Sequence, residues 1–183
     1  TDRRAHKRRV IDERGQLAIP SENITLPCSI VNISAGGAKV LCDAIPTSGG
    51  ITLKAGADIN AALKAHALVF LAGGTYKLTS PISLDAGKKL IGLPGQNVTI
   101  DASAVQEAIY LRDNTVLANV SIRDAIDVGV NFYNASSDAG SSNSLVYRVS
   151  VGRVGLSSVP NANGVGFGVW YGASNNCLVS TEA

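Results

Sequence analysis

The apolar positions of this chain come in short runs broken by glycine, proline and polar turns, and only one segment carries helical spacing. Leu17–Ile19, Leu26–Val31 and Ala38–Leu41 read as three short strands, punctuated by Gly15, Pro20, Pro27 and the Gly36-Gly37 pair. Asp58–His66 is the exception. Asp58 is placed to cap a short helix, and Ile59, Ala62, Leu63 and His66 fall near one face. Leu68–Leu71 then reads as a buried strand, Ala72–Thr75 as a turn, and Tyr76–Leu78 as a resumed strand.

Beyond this point the pattern repeats. Asn97-Val98-Thr99-Ile100 recurs as Asn119-Val120-Ser121-Ile122. Arg148-Val149-Ser150-Val151 is a looser third copy, delayed by the Ser/Gly-rich stretch Ala135–Asn143. Ala108–Leu111 and Gly129–Phe132 are separated by nearly the same interval as the first two copies. Short strands at such a period predict a parallel β-solenoid, whose coils stack about 4.8 Å apart with inward apolar residues forming a continuous core. A less regular β-sandwich is the competing architecture.

Composition supports an all-β chain. With 45% apolar and 16% charged residues it is globular, and its glycine, valine, isoleucine, threonine and serine favour strands and turns. The net charge of +2 is uninformative, but five of the sixteen Lys and Arg residues lie within Arg3–Arg9. Such an arm suits a phosphate-bearing partner, although a solvated terminus is the ordinary fate of a basic run. Cys28, Cys42 and Cys177 have no metal-like spacing; Cys28 and Cys42 are placed to pair or to remain buried thiols. No signal peptide or membrane-spanning run is present, and the first residue is not methionine, so a trimmed N-terminus is expected. The chain divides near Pro46–Gly50 into residues 1–50 and residues 51–183.

The N-terminal part carries R-x-x-x-R through Arg4 and Arg8, then N-x-S-x-x-G through Asn32, Ser34 and Gly37. Together, in this order and separation, these resemble the PilZ family, whose members bind the bacterial messenger cyclic di-GMP. The resemblance implies that Arg4 and Arg8 meet guanine edges or phosphates, with Arg3 and Arg9 as helpers. A guanidinium suits this because its planar fork makes paired hydrogen bonds and stacks on bases. Asn32 stands where the family usually has aspartate and offers no charge-assisted bond. Ser34 supplies a hydroxyl, and Gly37 a close approach or a positive φ. By itself, N-x-S-x-x-G is an ordinary hairpin turn. Some fifty residues are also short for the family's closed barrel, so the segment is expected to be an incomplete PilZ-like β-barrel.

Residues from about Ile51 to Ala183 resemble the opening of a pectate-lyase-like right-handed β-helix, with Val69–Tyr76 as its hydrophobic-glycine-x-tyrosine entry strand. The preceding helix would cap the first coil. Four or five coils and no closing cap predict a C-terminally truncated β-helix, or one that self-associates through its open end. Such proteins cleave, epimerise or grip acidic polysaccharides, using arginine or Ca²⁺ to neutralise a uronate and a base to remove its α-proton. The candidate groups are Asp101, Arg112, Asp113, Arg123, Asp124, Asp127, Arg148 and Arg153. Asp101, Arg123 and Asp124 lead, because Asp101 and Arg123 follow the repeated motif at equivalent places; a solvated surface ion pair is the plainer reading. Tyr110, Tyr133, Phe167, Trp170 and Tyr171 offer a sugar-stacking strip or core packing.

The expectation is a bacterial signalling protein, a cyclic di-GMP-binding module joined to a β-helix that binds or processes exopolysaccharide. Its rivals are a polysaccharide lyase or epimerase with a vestigial PilZ segment, and a structural or adhesive β-helix without chemistry. No DNA or RNA partner is expected. A working PilZ part implies the cytoplasm, whereas polysaccharide-acting β-helices are mostly exported or held at the cell surface.

Overall fold

The computed structural model describes residues 9–19, 24–34, 37–42, 50–134, 139–155, 164–170 and 172–183, the first three stretches and residues 134 and 139 as backbone only. Strand accounts for 51% of the chain, so the all-β expectation holds at this coarse level. The backbone separates into two compact units, Thr1–Ser48 and Gly49–Ala183.

The first unit is an antiparallel sheet of β1 (Arg9–Ile19), β2 (Ile24–Ser34) and β3 (Gly37–Cys42), in that order. Its strands run further than the apolar clusters predict. Gly15 and Pro27 lie inside strands, paired with Cys28 and Gln16 respectively. The described β2–β3 pairing begins one residue after Pro27, at Cys28 opposite Cys42.

The second unit contains the single helix among the described residues, α1 (Ile59–Ala65), and parallel ladders. Asp58 accepts from the Ala61 amide at 3.1 Å, and Ile59, Ala62 and Leu63 are buried. His66 is the extended C-cap rather than part of the apolar face.

After the helix the chain visits three ladders in a fixed order. The first joins β4 (Ile51–Leu53), β5 (Leu68–Leu71), β8 (Lys89–Gly92), the first half of β11 (Val116–Arg123), the first half of β14 (Leu145–Gly152) and β16 (Cys177–Val179). The second joins β6 (Gly74–Lys77), β9 (Val98–Asp101) and the second halves of β11 and β14. The third joins β7 (Ile82–Leu84), β10 (Glu107–Leu111), β12 (Val128–Asn134) and β15 (Val165–Val169). The one antiparallel partner among the described residues of this unit is the short β13 (Ala139–Gly140), beside β12. Phe132, Leu71, Ile82, Leu84, Ile100, Ile109, Leu117 and Ile122 are each under 2% exposed in the shared core. Burial of each such side chain stabilises the fold by about 1.5–3 kcal/mol.

The repeated tetrapeptides stack in register, Thr99 on Ser121 on Ser150 and Ile100 on Ile122 on Val151. The interval is not constant, because the chain grows at the corners. First-ladder partners run Leu68, Lys89, Val116, Leu145 and Cys177, each step along the chain longer than the one before. Two corners are held by left-handed residues stacked from rung to rung. One carries Gly87, Asn114, Asn143 and Asn175, at φ of 77, 59, 60 and 54°. Glycine and asparagine suit this region, the first for lack of a Cβ and the second through its short polar side chain. The other carries Asn119, Arg148 and Ser180, at φ of 55, 51 and 52°. A buried polar chain braces the first corner. Ser144 Oγ lies 2.9 Å from Thr115 Oγ1, and Asn176 accepts from the Ser144 amide and donates to the Ser141 carbonyl.

Candidate functional site: a charged and hydroxylated face

The outward side of the second ladder presents two columns, one of hydroxyls and one of alternating charges. In the first, Thr75, Thr99, Ser121 and Ser150 follow one another in register, with Ser150 Oγ donating to Ser121 Oγ at 2.8 Å. Two residues further along each strand stand Lys77, Asp101, Arg123 and Gly152. The alternation of cation, anion and cation puts opposite charges on successive rungs. Asp101 is held below the usual carboxylate range, chiefly by the Ser103 hydroxyl and amide and then by Arg123 and Lys77. Asp124 turns the next corner at φ 65°. It takes Arg153 at 2.7 Å and Arg123 at 3.7 Å.

The chain thus brings together Asp101, Arg123 and Asp124, the three leading catalytic candidates. A proton-abstracting base works best with a pKa near the operating pH, and Asp101 is pushed the other way. Asp124 already serves two guanidinium groups. Among the described residues no group of three or more His, Cys, Asp or Glu side chains gathers to hold a metal ion.

The corner beside these columns is hollow. In β11 and β14 it is turned by one residue, Asn119 or Arg148, whereas between β8 and β9 it takes the longer loop 93–97. That loop lines a groove of about 450 Å³ together with Thr99, Asn119, Ser121 and Arg148. Arg148 also borders a second hollow of about 260 Å³, shared with Ser150, Ser180 and Glu182. Its guanidinium carbon lies 5.0 Å from the centroid of the neighbouring Tyr147 ring. The charge of Arg148 was legible in the sequence, but its place between two hollows depends on loop lengths.

Other candidates serve the framework. Asp113 accepts from the Ser142 amide at 2.7 Å, and Arg112 lies 3.3 Å from Asp85. The Asp127 amide bonds the Gln106 carbonyl. Of the aromatic series, Phe167 packs against the core, Tyr110 and Tyr133 lie on strands of the third ladder, Trp170 follows directly after β15, and Tyr171 is outside the described residues.

In the first unit, Arg3, Arg4 and Arg8 lie outside the described residues. Arg9 opens β1 opposite Ile33, so its backbone falls between those of Asn32 and Ser34 on β2. Ser34 is opposite Gly37 on β3, and register shifts occur in both pairings near Asn32. The N-x-S-x-x-G residues and the end of the basic arm therefore share one end of this sheet.

Among the described residues no helix is long and apolar enough to cross a membrane. No protein-family model matches the sequence, and neither the curated proteins nor the solved structures provide a match.

Proposed function

We propose that this is a two-part bacterial signalling protein, in which a PilZ-like first unit takes cyclic di-GMP and a right-handed parallel β-helix grips an acidic polysaccharide. The β-helix reading is supported by three parallel ladders visited in fixed order around one core, and its hand by the strong right-handed preference of parallel crossovers. The polysaccharide reading rests above all on Arg148, set between two hollows that follow the ladder axis. A polymer laid along that axis meets hydroxyls at rungs about 4.8 Å apart, close to the length of a sugar unit, with Lys77, Arg123, Arg148 and Arg153 for its carboxylates. Ordered cation placement without a well-tuned base favours binding over elimination.

The dinucleotide reading is supported by the arm's continuation at Arg9, in register beside Asn32 and Ser34. Arginine-rich elements next to a turn can meet both phosphate and guanine.

Calorimetric titration of the full chain with polygalacturonate and with cyclic di-GMP tests both halves. Arg148→Ala is expected to weaken the polymer about tenfold, or about 1.4 kcal/mol, and to leave the dinucleotide unaffected. The double change Arg4→Ala/Arg8→Ala is expected to abolish dinucleotide binding alone. Polymer affinity indifferent to Arg148 would defeat the groove reading. Release of unsaturated uronate products would instead favour a lyase.

A further inference from the structure

The third ladder carries a different chemistry on its outward side. Tyr110, Asn131 and Gly168 follow one another in register, and Phe132 pairs with Val169, each one residue before an aromatic, Tyr133 and Trp170. Asn131 is 5% exposed, although it points away from the apolar core. Its Nδ2 donates to Glu107 Oε2 at 2.6 Å, and its Oδ1 has no hydrogen-bond partner among the described residues. Glu107 also bonds the Tyr110 hydroxyl. Burial, Glu107 and Tyr133 together push that phenol up to about 12, which keeps it protonated.

Beside this cluster stands an indole. A Cβ at Gly168 would collide with Trp170 Nε1, so the ring lies directly against the strand at the residue next to Asn131. Trp170 is nevertheless 43% exposed. A half-exposed aromatic ring backed by strand, beside the part-exposed Glu107, Tyr110 and Tyr133, fits a ligand with both an apolar face and hydroxyl groups. A pyranose has both: its C–H face stacks on an aromatic ring and its hydroxyls donate. The carboxylate of Glu107 in the same cluster disfavours uronates and leaves neutral sugars.

We propose that Glu107, Tyr110, Asn131, Tyr133 and Trp170 form a second carbohydrate site, for a neutral hydroxyl-rich sugar, on the outward side of β10, β12 and β15. It is separate from the charged groove and does not depend on the acidic-polymer reading. In it Trp170 is the stacking platform, the buried Asn131 holds the Glu107 carboxylate through its Nδ2, and Glu107 sets the selectivity.

Trp170 is the sole tryptophan of the chain, so its emission reports this site alone. Titration of the full chain with cellohexaose and chitohexaose is expected to shift that emission saturably with one of them. Calorimetry should show at least about a tenfold loss of affinity in Trp170→Ala, with part retained in Trp170→Phe. Glu107→Gln, which still accepts from Asn131, is expected to admit galacturonate oligomers that the unaltered chain refuses here. No emission change with either neutral oligomer, or an affinity indifferent to Trp170→Ala in a variant with unaltered circular dichroism, overturns the proposal. Polygalacturonate binding measured on the same variants separates the two sites: its loss from the unaltered chain defeats the charged groove and leaves this site standing.

Discussion

The outward sides of the second and third ladders share one backbone plan and differ in almost everything chemical. The second bears exposed hydroxyls and alternating charges, and its hollow comes from a corner loop. The third bears aromatic rings around a carboxylate and a buried amide. Both follow from one geometric rule: parallel in-register stacking turns one position per rung into a column. The residue types in that column decide what the face can hold. Charges at contact distance on successive rungs must alternate or be neutralised, as Lys77, Asp101 and Arg123 do. Aromatic side chains need flat room beside them, which Gly168 provides for Trp170.

This contrast also explains what was legible in advance. Along the second ladder Thr99 and Ser121 hold the same place in two similar tetrapeptides, so the equivalence of Asp101 and Arg123 can be read from the chain. Along the third ladder the partners run Ile82, Ile109, Val130 and Phe167, a short middle step between two longer and unequal ones. No fixed period links Asn131 to Gly168, and Glu107 is an unremarkable surface acid until Asn131 is set against it. The Asp58 cap and the apolar positions Ile59, Ala62 and Leu63 were legible because helix signals are local. Strand ends in the first unit were not, because continuation through Gly15 and Pro27 depends on which partner lies alongside.

The largest expected effect comes from the corner between the first and second ladders. Gly92 ends β8 against Asn119, and an added Cβ would strike the Asn119 carbonyl. The Asn119 side chain already donates to the Gly92 carbonyl at 3.2 Å, so the two backbones have no slack. Gly92→Ala is expected to destabilise the fold by about 3 kcal/mol, read as a lower urea midpoint. Because the damage lies at the groove corner, polygalacturonate affinity should fall in the fraction that remains folded while the neutral-sugar response of Trp170 persists. Loss of both together would mean that the faces are not separable.

A smaller, opposite effect is expected at Arg148. A bulky residue at φ 51° is strained, and such backbone cost is commonly found where function demands the side chain. Arg148→Gly should therefore raise stability by about 1 kcal/mol while weakening acidic-polymer binding about as much as Arg148→Ala. Thermal unfolding and calorimetry on the pair check this. A glycine variant less stable than the alanine variant would show that the conformation carries no strain.

The smallest effects lie at the extremes of pH, where the two faces should respond with opposite signs. Asp101 is depressed in the fold, so its contribution is present above the ordinary aspartate value of about 3.9 and is lost as pH falls through its lower folded value. The group is largely solvated, and the loss should stay under about 1 kcal/mol. Tyr110 is raised to about 12, so its contribution is complete below the ordinary tyrosine value of about 10 and disappears as pH climbs from there towards 12. Asp101→Asn should flatten the acid limb of a stability–pH profile and leave the alkaline limb alone; Tyr110→Phe should do the reverse. Because Tyr110 is raised largely by burial and by Glu107, Glu107→Gln should move its spectrophotometric titration back towards the ordinary tyrosine value without touching the acid limb. If one substitution altered both limbs, the ladders would be electrostatically joined through the core, and assigning separate ligands to the two faces would fail.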